Sequence, residues 1–297
     1  MIEIIINFLK YLKYEKNYSN NTVLSYGKDL KKFLDYLENL KITKFNNIDY
    51  KMLRNYLSLL YEKNYSKKTI ARNISAIRSL FKYLMKDKIV TYNPITLISN
   101  PKLDKKLPKF LYYNDLEVLL NTPDINTTLG FRDATILECF YSTGLRISEI
   151  TNIKINDISF DDMKILVNGK GNKERYVLFG TRLEKLLKKY IIEIRPILLK
   201  DNHEYLFVNK LGKQLTDRGI RFIVEEIFKK SSLKYHISPH TLRHTFATHL
   251  LDNGADLKVV QELLGHTNLN TTQIYTHISN EKLRNVYYQN HPRSKMR

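Results

Sequence analysis

"NPITLISNPKLDKKLPKF", residues 93–110, divides the chain. Pro94, Pro101 and Pro108 exclude a continuous helix, and four lysines fall between Lys102 and Lys109. A basic stretch broken by prolines reads as a linker, which sets one domain over 1–92 and a second over 111–297. The 297 residues, 43% of them hydrophobic, are enough for two well-buried cores.

Upstream of this stretch the chain reads as all helical. "KNYSNNTVLSYGKDLKKFLDYL" starts at Lys16 and "KNYSKKTIARNISAIRSLFKYL" at Lys63, a weak repeat offset by 47 residues. Ser19 with Thr22, and Ser66 with Thr69, are placed to cap helices. Apolar residues follow each cap at helical spacing: Tyr26, Leu30, Phe33, Leu34 and Leu37, then Ile70, Ile74, Ile77, Phe81 and Leu84. Leu53, Tyr56, Leu57 and Leu60 mark another helix. The opening "MIEIIINFLKYLKYEK" is apolar, yet Glu3 interrupts it, and neither a basic leader nor a small-residue cleavage site flanks it. Ile2, Ile5, Ile6, Leu9 and Leu12 instead form one core-facing stripe. Two copies are too few for a solenoid, so four helices packed in pairs are expected.

Downstream the texture is mixed. "RDATILECFYST" is a helix stopped at Gly144, and "MKILVNGKGNKERYVLF" is two strand-like runs around a Gly-rich turn, a β-hairpin. Helices return at about 181–195, 216–231, 239–253, 256–264 and 271–290 by apolar periodicity. The fold class is therefore mainly α, with a four-helix N-terminal domain and an α+β second domain holding a small hairpin.

Lys+Arg 49 against Asp+Glu 30 leaves a net charge of +19, which points to a nucleic acid or an anionic membrane as partner. The apolar runs are short and punctuated by lysines, against the roughly 20 residues a spanning helix needs, so nucleic acid is favoured. Cys139 is the only cysteine, which excludes an intramolecular disulfide and a Cys-based zinc module; it lies in the apolar run "ATILECFY" as a small buried hydrophobe. A cytoplasmic location is expected.

Uncommon polar residues gather at element boundaries of the second domain. "TGLRISE" puts Arg146 just past a helix-ending glycine, and "NGKGNKER" puts Lys170 at a hairpin tip. "SPHTLRHTFATHLL", 238–251, sets His240, Arg243 and His244 on one face of a first helical turn, where the helix dipole favours an anion. "LGHTN" puts His266 after another glycine stop, and "IYTH" offers Tyr275 nine residues on. A metal-free phosphodiester transfer needs these types: two guanidiniums on the non-bridging oxygens, imidazoles to take or give a proton, a lysine to protonate the leaving oxygen, and a tyrosine nucleophile.

Each residue alone has an ordinary structural explanation. Arg146 could pair with Glu149, Lys170 could be a solvated turn lysine, His266 could satisfy end carbonyls, and Tyr275 is one of 21 tyrosines. His244 and His249 are read as structural. "HTLRH" also resembles a zinc-binding helix but lacks the glutamate of H-E-x-x-H, and it sets an arginine beside the supposed metal. "ADLKVVQELLGHTNLNTTQIYTH" could form a helix-turn-helix of a DNA-binding regulator, which leaves Arg146, Lys170 and "HTLRH" without a role.

Taken together, "GLRISE", "GKGNKER", "HTLRHTFATHLL", "LLGHTNLNTTQIYTH" and the closing "LRNVYYQNHPR" resemble the tyrosine recombinase family of phage-integrase type, and its Xer branch closely. The likeness spans nearly the whole chain. It implies a SAM-like core-binding domain before the linker and a catalytic domain after it, closing as a clamp on duplex DNA. It implies that Arg146 and Arg243 hold the scissile phosphate, Lys170 is the general acid, His240 the base, His266 a donor to the phosphate, and Tyr275 the nucleophile, with Glu149 supporting the site. No cofactor or metal is implied. The partners implied are a short, imperfectly palindromic DNA site and a tetramer with itself or with a related recombinase, with the segment 279–297 exchanged between protomers; a DNA translocase at the division septum is a further candidate. The expected duty is resolution of chromosome dimers at a dif-like site. The alternatives are a mobile-element integrase, disfavoured by a compact length without an arm-binding domain, and a regulator that keeps the fold without the chemistry.

Overall fold

The computed structural model describes residues 1–102, 110–169, 174–234, 237–265 and 280–294. The chain forms two compact units, Met1–Lys106 and Leu107–Arg297.

The first unit contains α1 (Ile2–Tyr14), α2 (Asn20–Asn39), α3 (Tyr50–Glu62) and α4 (Lys67–Lys86). The 47-residue repeat is a structural one. Ser19 and Ser66 cap α2 and α4 with the same backbone angles, and each accepts a hydrogen bond from the amide three residues on, at Thr22 or Thr69. Asn17 and Asn64 take left-handed conformations before the caps, as do Lys41 and Lys88 beyond the helix ends. The amide of Ile42 returns to Leu37 and that of Ile89 to Leu84, again 47 residues apart. The unit is thus two helix pairs built alike, and their apolar faces share one core around Leu30, Phe33, Leu53, Ile74 and Phe81. Across it, fully buried Asp29 accepts 2.6 and 3.0 Å bonds from Arg72, and the Tyr56 hydroxyl donates to Asn73 at 2.9 Å.

Two expectations shift. The buried stripe of α1 is Ile5, Phe8 and Leu12, while Ile2 is 66% and Ile6 48% exposed. At about 100° per residue Ile6 sits a quarter-turn from Ile5, whereas Phe8 and Leu12 return to its side. The start of the proline-broken stretch is also no spacer. Asn93 caps a short 3-10 turn over Pro94–Leu97, and Pro94, Ile95 and Ile98 bury within the first unit.

The second unit opens with α5 (Tyr113–Leu120) and α6 (Thr128–Thr143), the latter stopped by Gly144 at φ +62°. A side chain at Gly144 would strike the Phe246 ring. After α7 (Ile147–Asn152) come β1 (Ile158–Ser159), β2 (Lys164–Asn168) and β3 (Glu174–Leu178). The expected hairpin is the β2–β3 pair, with Val167 opposite Arg175 and Asn168 opposite Glu174; β1, too short to show a period, adds an antiparallel edge. α8 (Thr181–Lys189) does not run on to 195. Tyr190–Ile194 is π-helical and leads into α9 (Arg195–Leu198), where Pro196 has no amide to give and clashes with a regular preceding turn. α10 (Asp217–Lys230), α11 (Pro239–Asp252), α12 (Leu257–Leu264) and α13 (Asn280–Asn290) complete the unit.

Nearly every residue of α6 from Phe131 to Thr143 is buried, so it forms the spine of this core. A smaller cluster joins Phe246, Leu250, Val259, Val260 and Leu264 to Tyr287 of α13. The stretch 280–294 lies on its own unit: Tyr287 donates to the Ser142 carbonyl at 2.9 Å, and buried His291 sits against Tyr141 and Phe246. Among the described residues no helix is long and apolar enough to cross a membrane.

Candidate active site

The residues expected to hold a phosphate come from two helix starts and meet two helix stops. α11 begins at a Ser238 cap with Pro239 in its first turn, so His240 and Arg243 share the face of that turn. His240 is exposed, and Arg243, three residues later, is buried. Arg243 points both terminal nitrogens at backbone carbonyls, Gly144 at 2.5 Å and Leu264 at 2.6 Å. These are end carbonyls of α6 and α12, groups that helix geometry leaves without an intrahelical donor. Arg146 is the residue before α7 and reaches the next carbonyl, Gly265, at 3.1 Å. Gly265 ends α12 at φ +63°, so glycine stops close both α6 and α12 and turn their carbonyls toward the arginines.

Glu149 ties the two arginines together. It is only 5% exposed. One carboxylate oxygen accepts from Arg146 Nη1 at 2.9 Å and the other from the Arg146 backbone amide at 2.7 Å. Arg175 of β3 completes the set, its two terminal nitrogens reaching the same two oxygens at 2.8 and 3.0 Å. Arg243 Nη1 stands 3.9 Å away. Burial alone would raise the Glu149 carboxyl, but the hydrogen bonds from Arg175 and the Arg146 amide, with the charges of both arginines, hold it below the ordinary carboxylate value. The same crowding lowers Arg243 to about 10, chiefly through burial and then through the charge of Arg146, and it stays cationic at neutral pH.

Three guanidiniums around one carboxylate leave net positive charge on a partly exposed face. A guanidinium carries five donors in a fixed fork, so the carbonyl bonds orient Arg146 and Arg243 without exhausting them. Such a pair can take the non-bridging oxygens of a phosphodiester and stabilise the charge that builds on them during attack at phosphorus.

The other histidines of this helix pack. His249 is buried, its Nε2 2.9 Å from the Leu111 carbonyl and its Nδ1 3.0 Å from the Tyr141 hydroxyl. Since the carbonyl can only accept, Nε2 carries the proton and Nδ1 accepts from Tyr141. Burial lowers this imidazole's pKa and keeps it neutral. Thr245 takes the Leu111 amide at 3.0 Å, so α11 fastens the chain where it enters the second unit. His244 sets its ring edge-on to Phe110.

Arg146 and Arg243 are thus brought together on Glu149, with His240 on the same turn as Arg243. Lys170, His266 and Tyr275 lie outside the described residues. Arg175 is not among the residues that the motifs single out. Its signal was phase: in Glu-Arg-Tyr-Val-Leu the arginine alternates with Tyr176, which is exposed, and falls in step with Val177, which is buried.

The phage integrase family matches residues 109–282, and the phage integrase N-terminal SAM-like domain matches residues 5–88. The chain is 47% identical over 290 residues to the tyrosine recombinase XerC of Bacillus subtilis (strain 168), covering 97% of this chain and 95% of the relative. It is 44% identical to the XerC of Anoxybacillus flavithermus, with 97% of each covered. Among solved structures, XerH site-specific recombinase bound to its palindromic difH substrate after cleavage superposes with a TM-score of 0.71 at 31% identity, over 93% of this chain and 82% of that one. A lambda integrase dimer on a core site shares the fold at a TM-score of 0.72 and 16% identity, over 94% of this chain and 99% of that one.

Proposed function

The chain belongs to the phage integrase family, as a site-specific tyrosine recombinase of Xer type, and on that premise we propose how its residues divide the work. Tyr275 attacks the scissile phosphate of duplex DNA. A bond forms from its phenolic oxygen to phosphorus, the bond to the 5′-oxygen breaks, and a 3′-phosphotyrosyl link remains beside a 5′-hydroxyl. His240 takes up the tyrosine proton, Lys170 protonates the departing 5′-oxygen, and His266 donates to the phosphate. Arg146 and Arg243 hold the non-bridging oxygens. Rejoining is the reverse step with a different 5′-hydroxyl, and because one phosphoester replaces another, no nucleotide cofactor is consumed.

The observation that carries this assignment is the convergence of Arg146 and Arg243, far apart in sequence, on one buried carboxylate between two helix stops. A regulator that only holds DNA has no need of two guanidiniums fixed on one buried carboxylate.

On the same reading the substrate is a short, imperfectly palindromic duplex site, gripped by a core-binding domain in the first unit and the catalytic domain in the second. Four protomers, identical or paired with a related recombinase, hold two such sites in the cytoplasm and resolve chromosome dimers at segregation. The segment 279–297 then packs on a neighbouring protomer.

The test uses nicked duplexes carrying candidate dif-like sites from the genome that encodes the chain, incubated with the protein in EDTA. Wild-type protein is expected to stay attached to labelled DNA through SDS, and Tyr275→Phe is expected to release it. Attachment by both would assign the wrong nucleophile. Tight, sequence-specific binding without attachment by either would favour the regulator.

A further inference from the structure

Strand β3 carries a partly buried arginine on its inward side, and a cation drawn away from water is costly unless its charge is met. Arg175 is met by a fork-to-carboxylate pair with Glu149, a geometry a lysine cannot reproduce. Its guanidinium also presses on the stop of α12: a Cβ on Gly265 would fall 2.8 Å from Arg175 Nε and 2.9 Å from Cζ. The Nε itself is buried and has no hydrogen-bond partner among the described residues. One side chain therefore joins the hairpin strand, the acid that holds Arg146, and the glycine whose carbonyl Arg146 also holds.

Without Arg175, Glu149 would keep its two bonds from Arg146, but half of its acceptor sites would lose their donors and the carboxylate could turn. Arg146 would keep its charge and lose its fixed direction. We propose that Arg175 is a positioning residue of the strand-transfer reaction, holding the Glu149 carboxylate, and through it the Arg146 fork, against the helix stop at Gly265. This inference rests on the reading of Arg146 as a phosphate clamp.

Arg175→Lys keeps the charge and removes the fork; Arg175→Gln removes both. Each is assayed for thermal midpoint, DNA affinity and single-turnover cleavage of a nicked duplex at saturating protein. Cleavage by Arg175→Lys should fall on the order of 10²-fold, the usual effect of a misplacement of about 1 Å at a reacting centre. DNA affinity should stay within about threefold, because a residue acting only in the transition state lowers turnover and not binding.

A second substrate separates positioning from a general structural defect. Replacing one non-bridging oxygen of the scissile phosphate by methyl gives an uncharged methylphosphonate, and attack on it never builds the second negative charge that the guanidiniums stabilise. Arg175→Lys should cleave it nearly as well as the wild type does, and so should Arg146→Ala. If Arg146→Ala gains nothing on the methylphosphonate, the clamp reading falls and the proposal falls with it. If Arg146→Ala recovers while Arg175→Lys stays slow on both substrates, the clamp stands and the positioning role is overturned. Wild-type cleavage of the native substrate by Arg175→Lys, or loss of folding or DNA binding in both Arg175 variants, overturns it as well.

Discussion

His291 shows how strongly a single buried group can bind stability to pH. Its ring is fully buried between Tyr287, Tyr141 and Phe246, accepts from the Arg293 amide at one nitrogen and lies 3.2 Å from the Tyr141 carbonyl at the other. Burial, aided by the Arg293 charge, lowers its pKa from 6.5 to about 3. Between those values the unfolded chain binds a proton that the folded chain refuses, so stability falls as pH drops through this window. Urea unfolding at pH 7 and pH 5 should show the wild type losing up to about 1.4 kcal/mol per pH unit more than His291→Gln. Equal losses would mean the imidazole is protonated where it sits. Residue by residue, the sequence offered types in unusual places, and of these the structure brings Arg146 and Arg243 together on Glu149. Their partners were not legible there. Arg146 meets a carbonyl 119 residues away and Arg243 one 99 residues away, and no local period encodes a contact at that separation.

At the scale of elements the reading was more complete, because an amphipathic helix writes its buried face into a period that needs no knowledge of its neighbours. The equivalent caps Ser19 and Ser66 give this a quantitative form. They have the same backbone angles, the same partner three residues on, and similar exposure. Ser19→Ala and Ser66→Ala should each cost about 1 kcal/mol in chemical unfolding, and nearly the same amount as each other. A large difference would show that the two helix pairs are alike in outline only. α5 and α7, eight and six residues long, were missed as too short to show a stripe, and two other elements because the determining fact is not periodic. The two-residue β1 is defined by pairing with β2, and the π-helical turn at Tyr190–Ile194 by the proline that follows it. The exposed Ile2 and Ile6 belong to the same class, since apolar character marks which residues can be buried and not which are.

For the whole molecule the net charge of +19 makes a prediction independent of the active-site residues. If the basic faces neutralise six or more DNA phosphates, affinity for duplex DNA should drop roughly 10³-fold or more between 50 and 200 mM salt, read as the slope of log affinity against log salt. A shallow slope would place binding on contacts other than phosphates. The two units also differ in how far along the chain their contacts reach. The first is closed by links such as Tyr56 to Asn73 and Asp29 to Arg72, 17 and 43 residues apart. The second needs Leu111 to meet Thr245 and His249, and Tyr141 to meet His291, links of 134 to 150 residues. That difference sets an order of events at the ribosome. The helix pairs can close as soon as they emerge, while the remaining residues take roughly 10–40 s at an elongation rate of about 5–20 residues per second. The arginine cluster waits for Arg243 and for the carbonyls of Leu264 and Gly265, so a growing chain can finish one unit well before it can assemble that cluster in the other.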